Sequence, residues 1–249
     1  MVGLAHRRAC EQTGERMIGV DMTALVQAEK LRKTLCGSCL ILAPAVLLVG
    51  GVLHPEETTD AARQFEIIVD DVGRWEVAHW LISASLLLMV GAVVGLAHLL
   101  HERRPTEGIV GGAATMVGVM ALFAVATAEA AIMPQLGRSD IAAAAPIFER
   151  IADSGARWVL LLPVMFLPVG LIVMSYGMYR SRVAQTWVAG TVALGSAAFA
   201  VSLPTGSPVA FTIGLVLMYA GLARVGWSVL AETDEQWHHP PQMGAQLAG

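Results

Sequence analysis

Six long runs of apolar residues alternate with short polar gaps along this chain. The runs cover residues 35–53, 79–100, 109–132, 158–179, 183–203 and 209–229. An α-helix rises about 1.5 Å per residue and the hydrocarbon core of a bilayer is about 30 Å thick, so about 20 apolar residues cross it. The pattern therefore predicts an all-α polytopic membrane bundle with about six transmembrane helices.

The polar gaps predict how the rest of the chain is organised. Residues 1–34 are expected to form a cytoplasmic N-terminal segment with an amphipathic lead-in, 35–229 the six-helix transmembrane domain, and 230–249 a cytoplasmic tail. The two larger loops, 54–78 and 134–157, carry apolar residues at helical spacing among polar ones. Each is therefore predicted to contain a short amphipathic helix, and the two helices are expected to form a lid over the outer mouth of the bundle.

Composition points to a membrane independently of the runs. Hydrophobic residues make up 55% of the chain and charged residues only 14%, whereas about a quarter of a soluble domain is charged. A soluble bundle would also need polar outward faces, which six nearly uncharged runs do not offer. Membrane lipids are the expected partners, and the absence of a Lys/Arg block argues against nucleic acid.

The basic residues predict the orientation. Most of the 16 lysines and arginines fall in the N-terminal segment and in the gaps after the second and fourth runs, where Arg103, Arg104, Arg180 and Arg182 adjoin the spans. The first large loop is acidic instead. Because positive charge is retained in the cytoplasm, both termini are expected inside, in a multi-pass protein of the cell inner (plasma) membrane.

Small residues and prolines predict how the helices pack. Gly91 and Gly95 form a GxxxG pair, and the fifth run has an alanine stripe. These faces are expected to pack within the chain, and the alternative is docking of a membrane-protein partner or a second copy. Pro163 and Pro168 predict a kink in the fourth run, and broken helices line the substrate sites of many transporters.

Glu129 is the residue that most needs explaining, because it lies inside the third run. Ionisable groups within a span are costly, and they mark ion pathways and proton relays. His54, His79 and Arg157 stand at similar depth, at the ends of neighbouring runs. All four side chains are therefore expected near the outer face.

These four residues admit two interpretations. His54, His79 and Glu129 have the ligand types of a zinc or iron site, and the two histidines would also serve as axial ligands of haem. In the structural interpretation, Glu129 pairs with Arg157, and the histidines lie at headgroup level beside tryptophans. The spacing of the three ligand residues carries no signature that decides between these.

Two further motifs favour structural roles. His98 and His101 are three residues apart at the inner end of the second run, where an interfacial role is expected. Cys36 and Cys39 form a CxxC at the cytoplasmic start of the first run, in a reducing compartment, where packing is expected rather than redox chemistry. The sequence requires no cofactor and contains no nucleophile elbow, HExxH or phosphate-binding loop.

A non-enzymatic role is therefore expected. The favoured hypothesis is a small-solute or ion transporter with an outer-side polar site around Glu129. The first alternative is an accessory subunit of a larger membrane complex. The second is a haem- or metal-binding membrane redox protein that uses His54, His79 and Glu129.

Overall fold

A computed structural model describes residues 22–233 and 237, apart from the side chains of residues 22–25, 152, 156, 157 and 160. This part of the chain forms eight helices and no strand. The helices are α1 (Met22–Leu53), α2 (Ala61–Asp70), α3 (Val72–Leu100), α4 (Pro105–Ser139), α5 (Ile141–Asp153), α6 (Ala156–Ser181), α7 (Thr186–Thr205) and α8 (Pro208–Ala231).

Six helices, α1, α3, α4, α6, α7 and α8, are long and apolar enough to cross a membrane. The chain is thus a multi-pass membrane protein, and its helices coincide with the six apolar runs. Most extend beyond the runs, because helix-forming polar residues continue the backbone hydrogen bonds until a cap or a proline intervenes. Asp71 caps α3, Asp140 caps α5 and Ser207 caps α8 through side-chain oxygens.

The six membrane helices form a closed ring in chain order. Each packs antiparallel against the next, and α8 returns to pack against α1. In addition, α3 and α6 touch across the interior. Fully buried Leu40, Leu86, Met89, Leu171 and Leu222, contributed by four of the helices, fill the space that the ring encloses.

Glycines bring the helix backbones close together at several crossings. Gly91 and Gly95 of α3 face Cys39 and Cys36 of α1 at distances that leave no room for a larger residue. The GxxxG face and the CxxC pair therefore pack against each other within one chain. Both cysteines are free thiols.

Prolines lie inside several of the membrane helices. Pro163 and Pro168 both stand within α6, which continues through them from Ala156 to Ser181. Pro44 and Pro134 likewise lie within α1 and α4. The expected kink in the fourth span is therefore compatible with one unbroken helical element.

A small apolar layer covers one end of the bundle. Helices α2 and α5 occupy the two larger loops and pack against each other and against α4. Phe65 and Ile68 of α2 are buried there together with Trp75 and Met133. We call this the cap layer. The apolar face of α2 therefore packs on protein, while α5 leaves Ile147, Phe148 and Ile151 exposed.

The opposite end of the bundle carries the first turns of α1 and the end of α8. The Lys33 Nζ donates a hydrogen bond to the Glu232 carbonyl at 3.0 Å, which joins α1 to the residue that follows α8. Trp237 is only 1% exposed and stacks on His98 of α3. The predicted N-terminal segment up to residue 21 and most of the predicted tail lie outside the described residues.

Candidate functional site

His54, His79 and Glu129 lie side by side at the end of the bundle that carries the cap layer. The His79 Nε2 is 3.3 Å from the His54 Nε2 and 3.3 Å from the Glu129 Oε2. His54 follows α1, His79 stands two turns into α3, and Glu129 lies in α4. Three elements therefore contribute to one cluster, as the depths along the apolar runs suggested.

Backbone carbonyls hold both imidazoles in place. The His54 Nδ1 donates to the Pro55 carbonyl at 2.8 Å, and the His79 Nδ1 donates to the Trp75 carbonyl one turn back, also at 2.8 Å. The Arg74 Nε donates to the Leu53 carbonyl at 2.7 Å, which fixes the end of α1 against the start of α3. Both rings consequently point their Nε2 atoms at each other.

Trp75 connects the cluster to the cap layer. Its ring centroid is 4.2 Å from that of His79 and 5.2 Å from that of His54. Its indole Nε1 donates to the Glu129 carbonyl at 3.0 Å, which links α3 to α4 at this level. Trp75 is one of the two tryptophans, with Trp80, expected beside the histidines at headgroup level. Its position four residues before His79, hence on the same helix face, was the available signal.

Exposure changes stepwise across the cluster. Glu57 lies 3.7 Å from the His54 Nε2 and its side chain is 69% exposed, whereas the His54 side chain is 14% exposed. The His79 side chain is 2% exposed, and Glu129 is again accessible at 42%. In the sequence, Glu57 belongs to the acidic first loop and stands three residues after His54. The four groups form a path from solution to a buried imidazole.

The expected partner of Glu129 is only partly described. Arg157 lies in the first turn of α6, but its side chain is outside the described part of the structure. Glu129 has His79 as its observed ionic partner. Pairing of Glu129 with Arg157 therefore stays a prediction.

The distances in the cluster bear on the haem hypothesis and on the metal hypothesis in different ways. Axial haem ligands stand on opposite faces of the macrocycle, and a 3.3 Å separation between the two Nε2 atoms leaves no space for one between them. Within residues 22–233 and 237, no three His, Cys, Asp or Glu side chains are grouped so as to hold a metal ion. A metal at His54, His79 and Glu129 stays a prediction that would require the side chains to rearrange.

A second polar pair lies one turn deeper between the same helices. The Ser83 hydroxyl of α3 is 3.3 Å from the Thr127 hydroxyl of α4, and either can donate. Beyond this level large apolar side chains dominate, with Leu86, Met89 and Leu96 almost completely buried. The buried hydroxyls of Ser85, Thr115 and Ser175 bond there to carbonyls of their own helices. The polar contacts of the cluster thus run from the cap-layer end to the Ser83–Thr127 pair.

The other histidine pair lies at the far end and has a different environment. His98 and His101 stack with centroids 4.8 Å apart. The His98 Nε2 donates to the Trp237 carbonyl at 3.2 Å, and the His101 Nδ1 donates to the His98 carbonyl at 2.6 Å. These contacts hold Trp237 against α3, which is a structural role.

Comparisons with known proteins give no family model, no curated protein and no solved structure that matches this chain. Function is therefore argued from the chemistry of the site.

Proposed function

We propose that this chain is an integral membrane transporter of a small solute or ion, with its coupling site at the His54–His79–Glu129 cluster. The observation that carries the proposal is the pairing of Glu129, on a membrane-spanning helix, with the nearly fully buried His79 at 3.3 Å. Such pairs change charge when they gain or lose a proton, and ionisable groups at membrane depth typically serve ion pathways and proton relays.

The graded exposure of the cluster supports access from one side. Glu57 and His54 connect the solution at the cap-layer end to His79, and the Ser83–Thr127 pair extends the polar surface by one turn. Beyond it, large apolar side chains such as Leu86 and Met89 fill the core towards the opposite end. A transported species would therefore cross only when the helices rearrange, as alternating access requires.

The distribution of basic residues supports an orientation for this arrangement. If both termini are cytoplasmic, the cluster and the cap layer face the outside of the cell inner membrane. The coupling site would then be loaded from the outer solution, where the acidic first loop attracts cations.

The accessory-subunit alternative stays a prediction for the fifth span. It predicted an open small-residue face on the second or fifth span. On α3 that face is filled by Cys36 and Cys39 of the same chain, whereas on α7 Ala197 is exposed and the space beside Gly190 is open. The redox alternative stays a prediction, and its haem variant would require the two imidazoles, now 3.3 Å apart, to separate. A non-enzymatic transport role therefore remains the proposal.

The test is ion flux in vesicles that contain the purified full-length chain. Phosphatidylcholine–phosphatidylglycerol vesicles loaded with the pH dye pyranine would receive a pH step, and then NaCl, KCl, MgCl₂ or a mixture of amino acids outside. We expect solute-dependent proton movement that falls at least tenfold in Glu129→Gln. Glu66→Gln, which removes an exposed carboxylate paired with Arg63 in α2, is the matched control.

Two results would overturn the proposal. One is flux in the wild-type vesicles that does not exceed that of empty vesicles for any of these solutes. The other is full activity of Glu129→Gln. Elution volume and thermal stability in detergent, measured on the same preparations, show that each variant is folded.

A further inference from the structure

The hydrogen bonds of the two imidazoles determine which nitrogen carries a hydrogen in each. A carbonyl oxygen only accepts, so the Nδ1 atoms of His54 and His79 are both protonated. A neutral imidazole has one N–H, and in both rings that hydrogen is already used. If both rings were neutral, their Nε2 atoms would both be bare acceptors.

These two Nε2 atoms meet only other acceptors. Each lies 3.3 Å from the other, the His79 Nε2 also faces the Glu129 carboxylate, and the His54 Nε2 faces Glu57. Among the described residues, no side chain or backbone N–H donates to either Nε2. Four acceptors thus converge with no donor among the described side chains, in a place where His79 is shielded from water. Lone pairs opposed in this way repel each other unless a positive charge lies between them.

We propose that the cluster binds one proton, held on the His79 Nε2 and shared between the His54 Nε2 and the Glu129 carboxylate. This names the coupling ion of the site and rests on the transport function proposed above. His79 is the holder because its Nε2 has an imidazole and a carboxylate at equal distance. The proton comes from a hydronium ion of the solution, whose O–H bond breaks to leave water as the His79 Nε2–H bond forms, so the site gains one positive charge.

The surrounding groups are consistent with this assignment. Burial lowers the pKa of His54, with Glu57 acting in the opposite direction, so His54 remains a neutral acceptor near pH 7. Among the side chains that the structure describes, the charged groups facing the pair are Glu57 beyond α1 and Glu129 on α4. Arg74 of α3 directs its Nε to the Leu53 carbonyl instead. The pair is thus flanked by negative charge on both sides.

The route of the proton follows from the same geometry. Glu57 is the most exposed member and lies nearest to His54, so it collects a proton from solution and passes it through His54 to His79. Glu129 is the acceptor on the far side. Transfer from His79 to Glu129 neutralises both groups together and removes the attraction that joins α3 to α4 at this level.

The experiment is ¹⁵N NMR of the full-length chain, labelled at histidine and held in detergent micelles at pH 7.5. The signals of His54 and His79 are assigned by their loss in His54→Phe and His79→Phe. We expect one ring with both nitrogens protonated and the other with a protonated Nδ1 and a bare Nε2. In Glu129→Gln the doubly protonated ring should be lost, whereas Glu66→Gln should leave the spectrum unchanged.

Several outcomes would overturn the inference. One is two neutral rings at this pH, and another is a doubly protonated ring that persists in Glu129→Gln. Metal-bound imidazole signals, together with zinc or iron detected in the purified protein, would show that the cation is a metal. If His79→Phe does not fold, the His54→Phe and Glu129→Gln spectra still decide the question.

The NMR experiment tests the proton site and the flux experiment tests the transport function, so either proposal can be refuted without the other. A shared proton in a chain that moves no solute removes the transport function and keeps the proton site. Solute-dependent flux in a chain whose imidazoles are both neutral keeps the transport function and removes the proton from it.

Discussion

Replacing Gly118 by alanine should weaken the contact between α4 and α6. A Cβ at Gly118 would overlap the backbone nitrogen of Leu167 and lie 2.5 Å from its Cα. Contacts under 3.0 Å are essentially never seen for real Cβ atoms. Because the atoms in the way belong to a helix backbone, no rotamer change relieves the clash, and the two helices must separate.

The cost follows from the packing. Overpacking a well-packed interior costs about 1–3 kcal/mol, and a clash with backbone belongs at the upper end, about 3 kcal/mol. Alanine recovers about 1 kcal/mol because it favours the helix over glycine. The net loss of about 2 kcal/mol corresponds to a factor of about 30 in the unfolding equilibrium.

The assay is equilibrium unfolding in mixed micelles of a mild detergent and SDS, followed by tryptophan fluorescence. Gly190→Ala in α7 is the matched control, since a Cβ there has nothing within 4 Å. We expect Gly190→Ala to be about 0.5–1 kcal/mol more stable than wild type. A Gly118→Ala variant as stable as wild type would refute the backbone contact between α4 and α6.

Two further predictions concern the end of the bundle opposite the cap layer. Trp237→Ala should lower the unfolding free energy by about 3–5 kcal/mol because Trp237 is only 1% exposed. The control is Trp227→Ala, at a position 66% exposed, which should change that free energy little. Equal melting temperatures of the two variants would contradict the buried position of Trp237. For Glu232, burial raises the pKa of the carboxyl, with Lys33 opposing. The Glu232 carboxyl of the folded chain therefore stays protonated to a higher pH than that of the unfolded chain. The unfolding free energy should fall as the pH rises from the ordinary pKa of a glutamate through the raised pKa of Glu232. Melting curves from pH 4 to 8 should show this fall in wild type and a smaller one in Glu232→Gln, and parallel curves would exclude it.

The sequence was enough to locate the membrane helices because length and hydrophobicity act locally. It did not predict where they end. Helix α3 begins at Val72, well before the apolar run at residue 79, because Asp71 caps it and the intervening residues continue the helix. Likewise α4 extends to Ser139 and passes through Pro134.

The arrangement of the helices was beyond the sequence. Depth along a span is readable from residue number, which is how His54, His79 and Glu129 were placed at one level. Which helix lies beside which depends on side-chain packing between distant segments, such as Gly118 against Leu167. The tautomers of His54 and His79 could not be predicted from the sequence either. They depend on the carbonyls of Pro55 and Trp75, which accept from the imidazoles only in the folded chain.

The closed ring has a consequence for how the protein assembles. Around the ring, every adjacent pair of membrane helices is also consecutive among the spans, except α8 and α1, so most of the bundle can form from local hairpins as the chain enters the bilayer. The last pairing joins the first and final spans, where Gly37 and Gly226 meet. Closure of the ring is therefore the last step of assembly. One side of α1 stays exposed to lipid until α8 has been synthesised.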